Sequence, residues 1–220
     1  MKKQILFTII IVICLPLLTL LINLQVFGFN LNWYQREFAK LDVYQKYNAV
    51  RVEQQTENLF AYLQGRGGLK ADYYSRREQL HLADIKSLLE LAYWLSLIAT
   101  VIFFAAIFCS LLIYRTRQVI GMIFLANVIS LALLLLLLLA SLFDFQRLFI
   151  GFHHLAFTNE NWLLNPDYES LIVIFPPQLF FDLIKRIAGY CLLEMFLLFA
   201  LIAALPAARR DQADEADDQS

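Results

Sequence analysis

Four runs of apolar residues decide most of what this chain can become: residues 5–27, 88–114, 119–143 and 187–207. Each reaches the roughly 20 mainly apolar residues that a helix needs to cross a hydrocarbon core. A chain inside a bilayer must satisfy its own backbone hydrogen bonds, so such runs form helices. The sequence therefore predicts an all-α integral membrane protein with four transmembrane helices. Two long loop regions, 30–87 and 144–186, are predicted to be partly helical. Residues 1–210 read as one membrane domain, and the acidic stretch 211–220 as a disordered tail. Composition agrees, with 60% hydrophobic and 17% charged residues, against about 45–50% and about 25% in soluble domains.

The first run follows Lys2 and Lys3 as a signal peptide would, but it is too long and lacks a small-residue cleavage site. Pro16 inside it is tolerated by a helix in lipid. Lys2, Lys3, Arg115, Arg117, Arg209 and Arg210 fall on one side of a four-span arrangement. The positive-inside rule makes that side cytoplasmic, termini included, and both long loops outer. The net charge of −1 and the absence of a long basic run point to no nucleic-acid partner. Cys14, Cys109 and Cys191 all lie in predicted spans without metal-site spacing and read as small apolar residues. Ile13 stands before Cys14 where a lipid-modification site needs a small residue, so the chain is not expected to be a lipoprotein itself.

In the first outer loop, "TENLFAYLQGRGG" reads as a helix with Leu59, Phe60 and Leu63 on one face, stopped at Gly65. In the second, Asn165-Pro166 reads as a helix start, with that helix ending before Pro176-Pro177 and another beginning there. Trp162, Tyr168, Phe175, Phe180 and Phe181 make this loop aromatic enough for the headgroup layer. The leucines of 133–139 read as lipid-facing filler.

The chain has three histidines, His81, His153 and His154. His81 stands about two turns before the second span and His153 about ten residues after the third. In a helical bundle the start of one span and the end of the next meet on the same side, so the two can approach. Glu78, His81 and Asp84 are spaced i, i+3, i+6, one helical turn apart. That spacing fits a carboxylate orienting an imidazole for proton transfer. From spacing alone it also fits an ordinary surface ion-pair cluster with Arg76, Arg77 and Lys86, or part of a metal ligand set. Adjacent histidines point in different directions, so one of His153 and His154 would face a site. Glu194, several residues inside the fourth span, is a functional candidate by its depth. It would either pair with a neighbouring helix or line a cavity.

The motif RE-x-x-H-L-x-D-I-K before the second span and F-H-x-x-x-F…W…P after the third resemble the bacterial lipoprotein intramolecular transacylase family. So does the tyrosine-rich first outer loop, "WYQREFAK…YLQGR". The resemblance rests on Arg77, Glu78, His81, Asp84 and Lys86, then Phe152, His153, Phe157 and Trp162. It continues through Leu171, Ile172, Pro176, Phe180 and Phe181, and covers nearly the whole chain except the tail. Ala156 departs from it, standing where an aromatic residue is expected.

The resemblance implies a membrane acyltransferase of the bacterial cytoplasmic membrane. It would move the sn-2 acyl chain of a lipoprotein's diacylglyceryl group onto the α-amine of the same N-terminal cysteine, giving the lyso form. His81 and His153 match the family's catalytic pair, with Arg77, Glu78, Asp84, Trp162 and Glu194 as supporting candidates. Diacylated lipoproteins and membrane lipid are the implied partners. An ester becoming an amide runs downhill, so no cofactor and no metal is called for. The rival readings are a membrane accessory protein sensing metal or pH through its outer-face histidines, or a different membrane acyltransferase or hydrolase.

Overall fold

A computed structural model describes residues 2–205 of the chain. The predicted tail, and Arg209 and Arg210 on which part of the orientation rests, lie outside the described residues. Among the described residues eight α-helices follow in order: α1 (Lys2–Phe27), α2 (Leu31–Lys40), α3 (Val43–Lys46), α4 (Ala49–Leu63), α5 (Arg76–Ile113), α6 (Thr116–Ala156), α7 (Ser170–Ile174) and α8 (Pro177–Ala204). A short 3-10 turn, Ala71–Tyr73, precedes α5. Helices α1, α5, α6 and α8 are long and apolar enough to cross a membrane. They correspond to the four predicted runs, but three reach well beyond them. α5 starts twelve residues before position 88, α8 ten before position 187, and α6 runs thirteen past position 143. Apolar counting finds the lipid-spanning part of a helix and is blind to its polar extension.

One compact unit contains residues 2–23, Leu95–Leu138 and residues 187–205. Its helices meet through small side chains: Ala106 and Ala126 pack with Ile11 and Met122, and Ala99 with Cys14 and Leu18. Small residues let helix backbones approach closely, which is how helices associate in lipid. Two amides add polar links. Asn127 Nδ2 donates to the Met195 carbonyl at 3.1 Å, and Asn23 Nδ2 to Glu194 Oε2 at 2.9 Å. Outward, Phe104, Leu112, Leu136 and Phe196 are exposed. The leucine run is mostly of this kind, although Leu134 is buried.

The other unit contains Leu24–Trp94 and Leu139–Arg186. Its core is aromatic: Tyr34, Phe38, Phe60 and Phe175 surround each other and pack with Val43, Val52, Leu82, Ile174 and Leu179. Asn30 and Asn48 cap α2 and α4, accepting from Trp33 N at 3.0 Å and Arg51 N at 3.2 Å. As the sequence predicts, α4 closes at Gly65, whose φ of +71° only glycine adopts without strain. There Arg66 N donates to the Ala61 carbonyl and Gly65 N to that of Tyr62, satisfying the last turn. Asp182 of α8 ties α2 down, bonding Lys40 Nζ at 2.8 Å and Lys185 Nζ at 2.5 Å.

The predicted helix at Asn165-Pro166 is corrected. The Asn165 carbonyl accepts from Tyr168 N and Glu169 N, making one turn, and extended Glu169 (φ −122°, ψ 117°) ends it. The helix that follows, α7, is only five residues long. It does end before Pro176, and α8 does begin at Pro177.

Candidate active site

His81 and His153 lie in the same unit, on the second turn of α5 and the last turn of α6. Their ring centroids are 5.9 Å apart with the planes tilted by 36°. Both are buried, at 6% and 8% exposure. His154, by contrast, is exposed, and its ring meets Trp162 at 5.1 Å with the planes at 88°. Of the adjacent histidines, one faces the pair and one does not.

Each imidazole is positioned by its own helix. α5 begins with a capping box: Ser75 Oγ accepts from Glu78 N at 3.2 Å while Glu78 Oε2 accepts from Ser75 N at 2.5 Å. The second Glu78 oxygen reaches across to α7, accepting from Leu171 N at 2.6 Å and Ser170 Oγ at 3.4 Å. Glu78 is 1% exposed, and among the described residues its carboxylate bonds these groups. The expectation that it orients His81 is therefore corrected. A helix points successive turns along its length, and here the carboxylate at i−3 turns toward the α7 backbone instead. Asp84, the other expected partner of His81, holds Asn159 Nδ2 at 3.0 Å through its carboxylate. The structure thus does not bring Glu78, His81 and Asp84 together as a hydrogen-bonded triad.

α6 is interrupted at Asp144 (φ −154°, ψ 81°), where the Asp144 carboxylate accepts from Arg147 N at 3.0 Å and so starts a new helical segment. That segment carries Phe145, Phe149 and His153 in successive turns. Nδ1 of His153 is 2.7 Å from the Phe149 carbonyl oxygen. A carbonyl cannot donate, so the ring nitrogen carries the proton and Nε2 holds the lone pair. His81 differs: its Nδ1 is buried and, among the described residues, has no hydrogen-bond partner.

Aromatic rings enclose the pair. Trp162, itself buried, lies 4.9 Å from His153, and Phe149 lies 4.3 Å from it. Phe157 stands edge-on to His81 at 5.2 Å and 5.6 Å from His153. Both histidines precede or follow the apolar runs 88–114 and 119–143. Burial holds the His81 pKa down to about 4, and the neighbouring His153 adds to this while Asp84 opposes it. Burial also lowers that of His153, against the bond to Phe149, which raises it. Two neutral imidazoles are therefore available near pH 7.

Two further candidates, Arg77 and Glu194, make their own contacts. Arg77 Nη1 donates to the Leu163 carbonyl at 2.9 Å, one residue from Trp162. Glu194 belongs to the other unit, bonded to Asn23 of α1, so of its two readings the helix-pairing one fits. Sequence reasoning missed Ser75, Phe149, Asn159 and Glu169. Ser75 was detectable as S-x-x-E ahead of an apolar run. Phe149 contributes a backbone atom, which no side-chain pattern signals. Among the described residues, no group of three or more His, Cys, Asp or Glu side chains is arranged to hold a metal ion.

Fold and site together define an all-helical, multi-pass membrane protein with two buried, neutral histidines facing each other in an aromatic enclosure. The family model for the lipoprotein intramolecular transacylase Lit matches residues 9–181, and the chain belongs to that family. The fold is that of the membrane-integral lipoprotein intramolecular transacylase Lit from Bacillus cereus, solved in meso. That structure superposes with a TM-score of 0.82 at 18% identity, covering 95% of this chain and 98% of that one. A histidine-to-alanine variant of the same Bacillus cereus protein gives 0.79 at 17% identity, covering 95% and 96%. No curated protein sequence matches the chain.

Proposed function

We propose that this protein transfers an acyl chain from the sn-2 position of a lipoprotein's diacylglyceryl group to the α-amine of the same N-terminal cysteine. The observation that carries the reading is the approach of His81 and His153, with the Nδ1 proton of His153 committed to Phe149. Membership of the transacylase family supports the choice of lipoproteins as substrate.

The cysteine α-amine, with an ordinary pKa of about 7.7–8.0, attacks in its neutral form. As its nitrogen bonds the ester carbonyl carbon, Nε2 of His153 takes one proton from that nitrogen. The carbonyl oxygen becomes an oxyanion. His81 supplies the hydrogen bond to it. Placing the His81 proton on Nε2 leaves buried Nδ1 as an unpaired acceptor, the less costly kind of orphan. One such donor is worth about 10²–10³ in rate. Collapse breaks the bond to the glyceryl oxygen, and the His153 imidazolium returns its proton to that leaving oxygen. An amide and a free hydroxyl result, with no atom gained or lost. Amine and ester belong to one molecule, so the step has the rate advantage of an intramolecular reaction. The rings of Phe149, Phe157 and Trp162 exclude water and strengthen the hydrogen bond to the oxyanion.

In this reading the termini are cytoplasmic and the histidines face the outer side of the bacterial cytoplasmic membrane, where mature lipoproteins reside. Mass spectrometry of lipoprotein N-termini from cells with and without the gene tests the reaction. N-acyl, monoacylglyceryl cysteine should appear only with the gene; its absence from both would contradict the assignment.

A further inference from the structure

Segment 157–169 is tied to the first turns of α5 at three places. Asn159 Nδ2 donates to Asp84 Oδ2 at 3.0 Å, Arg77 Nη1 donates to the Leu163 carbonyl at 2.9 Å, and Ser75 Oγ bonds Glu169 Oε1 at 3.3 Å. As the segment advances from 159 to 163 to 169, its anchors step back from 84 and 77 on α5 to Ser75, which caps it. The segment is thus a strap running antiparallel to the helix across the turn that carries His81. Trp162 sits between the first two ties, and its indole rests 4.9 Å from the His153 ring at a tilt of 38°. The last tie joins the buried Glu78 network, whereas the first two are exposed to solvent.

We propose that Asn159 and Asp84 form a positioning pair: their hydrogen bond holds the strap so that Trp162 stays stacked on His153 and fixes the direction of its Nε2. The proposal rests on the reaction assigned above and gives Asp84 a task other than charge. A carboxylate acting on His81 through its field needs its negative charge. A carboxylate acting through the strap needs only an acceptor oxygen facing the Asn159 amide, which asparagine also has.

Four variants separate these roles: Asp84→Ala, Asn159→Ala, Asp84→Asn, and the exchange Asp84→Asn with Asn159→Asp. Two quantities are read on the full-length protein in lipid nanodiscs: turnover to lyso-form lipopeptide, and amide hydrogen exchange over 157–164. Each alanine variant should lower kcat roughly five- to tenfold, as loss of one hydrogen bond implies, and speed exchange across the strap. Asp84→Asn and the exchanged pair should both restore kcat and slow exchange again. If Asp84→Asn is as impaired as Asp84→Ala, or Asn159→Ala changes neither quantity, the pair is not a positioning device. If wild-type protein makes no lyso product, the assigned reaction fails. Exchange that still follows the tie then shows that the strap is held as described.

Discussion

The Nδ1 proton of His153 points at the carbonyl oxygen of Phe149, 2.7 Å away and four residues earlier on the same helical segment. That bond divides the ring into a nitrogen that holds position and a nitrogen that can accept a proton. Asparagine places an amide near the first and glutamine near the second. His153→Asn and His153→Gln should both lower turnover by about 10²–10⁴, the usual worth of a general base. They should differ in stability, because only asparagine keeps the bond to Phe149, worth about 1 kcal/mol. Thermal melts in detergent, read beside turnover, check this. A glutamine variant more stable than the asparagine variant would place the anchoring nitrogen wrongly.

The buried pair also makes a statement about pH. The pKa of His81 in the folded protein is about 4, below the ordinary 6.5, and that of His153 is lowered too. Between those values the unfolded chain binds more protons than the folded one. Stability should therefore be full above pH 6.5 and fall as the pH drops toward 4. Asp182, held down to about 2 by Lys185 and Lys40 against the opposing effect of burial, loses its contribution only below its ordinary 3.8. Melting temperature recorded from pH 7 to 4.5 should decline in the wild type and flatten in the His81→Asn, His153→Asn double variant. An identical decline in both would assign the titration elsewhere.

Glu78 predicts a stability effect rather than a chemical one. Its carboxylate closes the start of α5 and holds the start of α7 through Leu171 N. Glu78→Ala leaves two backbone donors unsatisfied and should cost about 2–3 kcal/mol. Ser75→Ala removes the reciprocal half of the cap and the bond to Glu169, together about 1–2 kcal/mol, and leaves the tie to α7 in place. Denaturation midpoints of the two variants measure this. A Glu78→Ala protein of wild-type stability would mean that the cap and the tie to α7 contribute nothing.

What the sequence made legible follows physical scale. Twenty apolar residues in a row leave few alternatives, so all four spans could be read. The approach of His81 and His153 followed from span order, because it needs only which helix ends lie together. Side-chain direction did not follow. Spacing put Glu78 one turn from His81, yet the α7 backbone, brought in from almost a hundred residues away, offered that carboxylate a better-satisfied place. Asn165-Pro166 carried genuine helix-start chemistry, but Glu169 turned its carboxylate back to Asn165 N and closed a single turn. The tautomer of His153 depends on a main-chain carbonyl and could not be read from residue types.

Orientation in the membrane has its own test. Reporter fusions at Thr116 should read as cytoplasmic, and fusions near Gly67 and Asn161 as outer. Gly67 and Asn161 belong to the two loop regions that carry His81 and His153, so a cytoplasmic reading at either would separate the pair from mature lipoproteins.

The most direct measurement is the N-terminal lipopeptide made by His81→Asn, His153→Asn and the double variant. Asparagine keeps polarity but exchanges no proton near pH 7. Each single variant should be folded and membrane-inserted, yet leave diacylglyceryl-cysteine with a free amine. The double variant should be little worse than either, since groups acting as a unit are strongly non-additive. His154→Asn, altering an exposed ring, should keep the lyso product. Mass spectra showing N-acyl, monoacylglyceryl cysteine at wild-type levels from both single variants would contradict the catalytic pair.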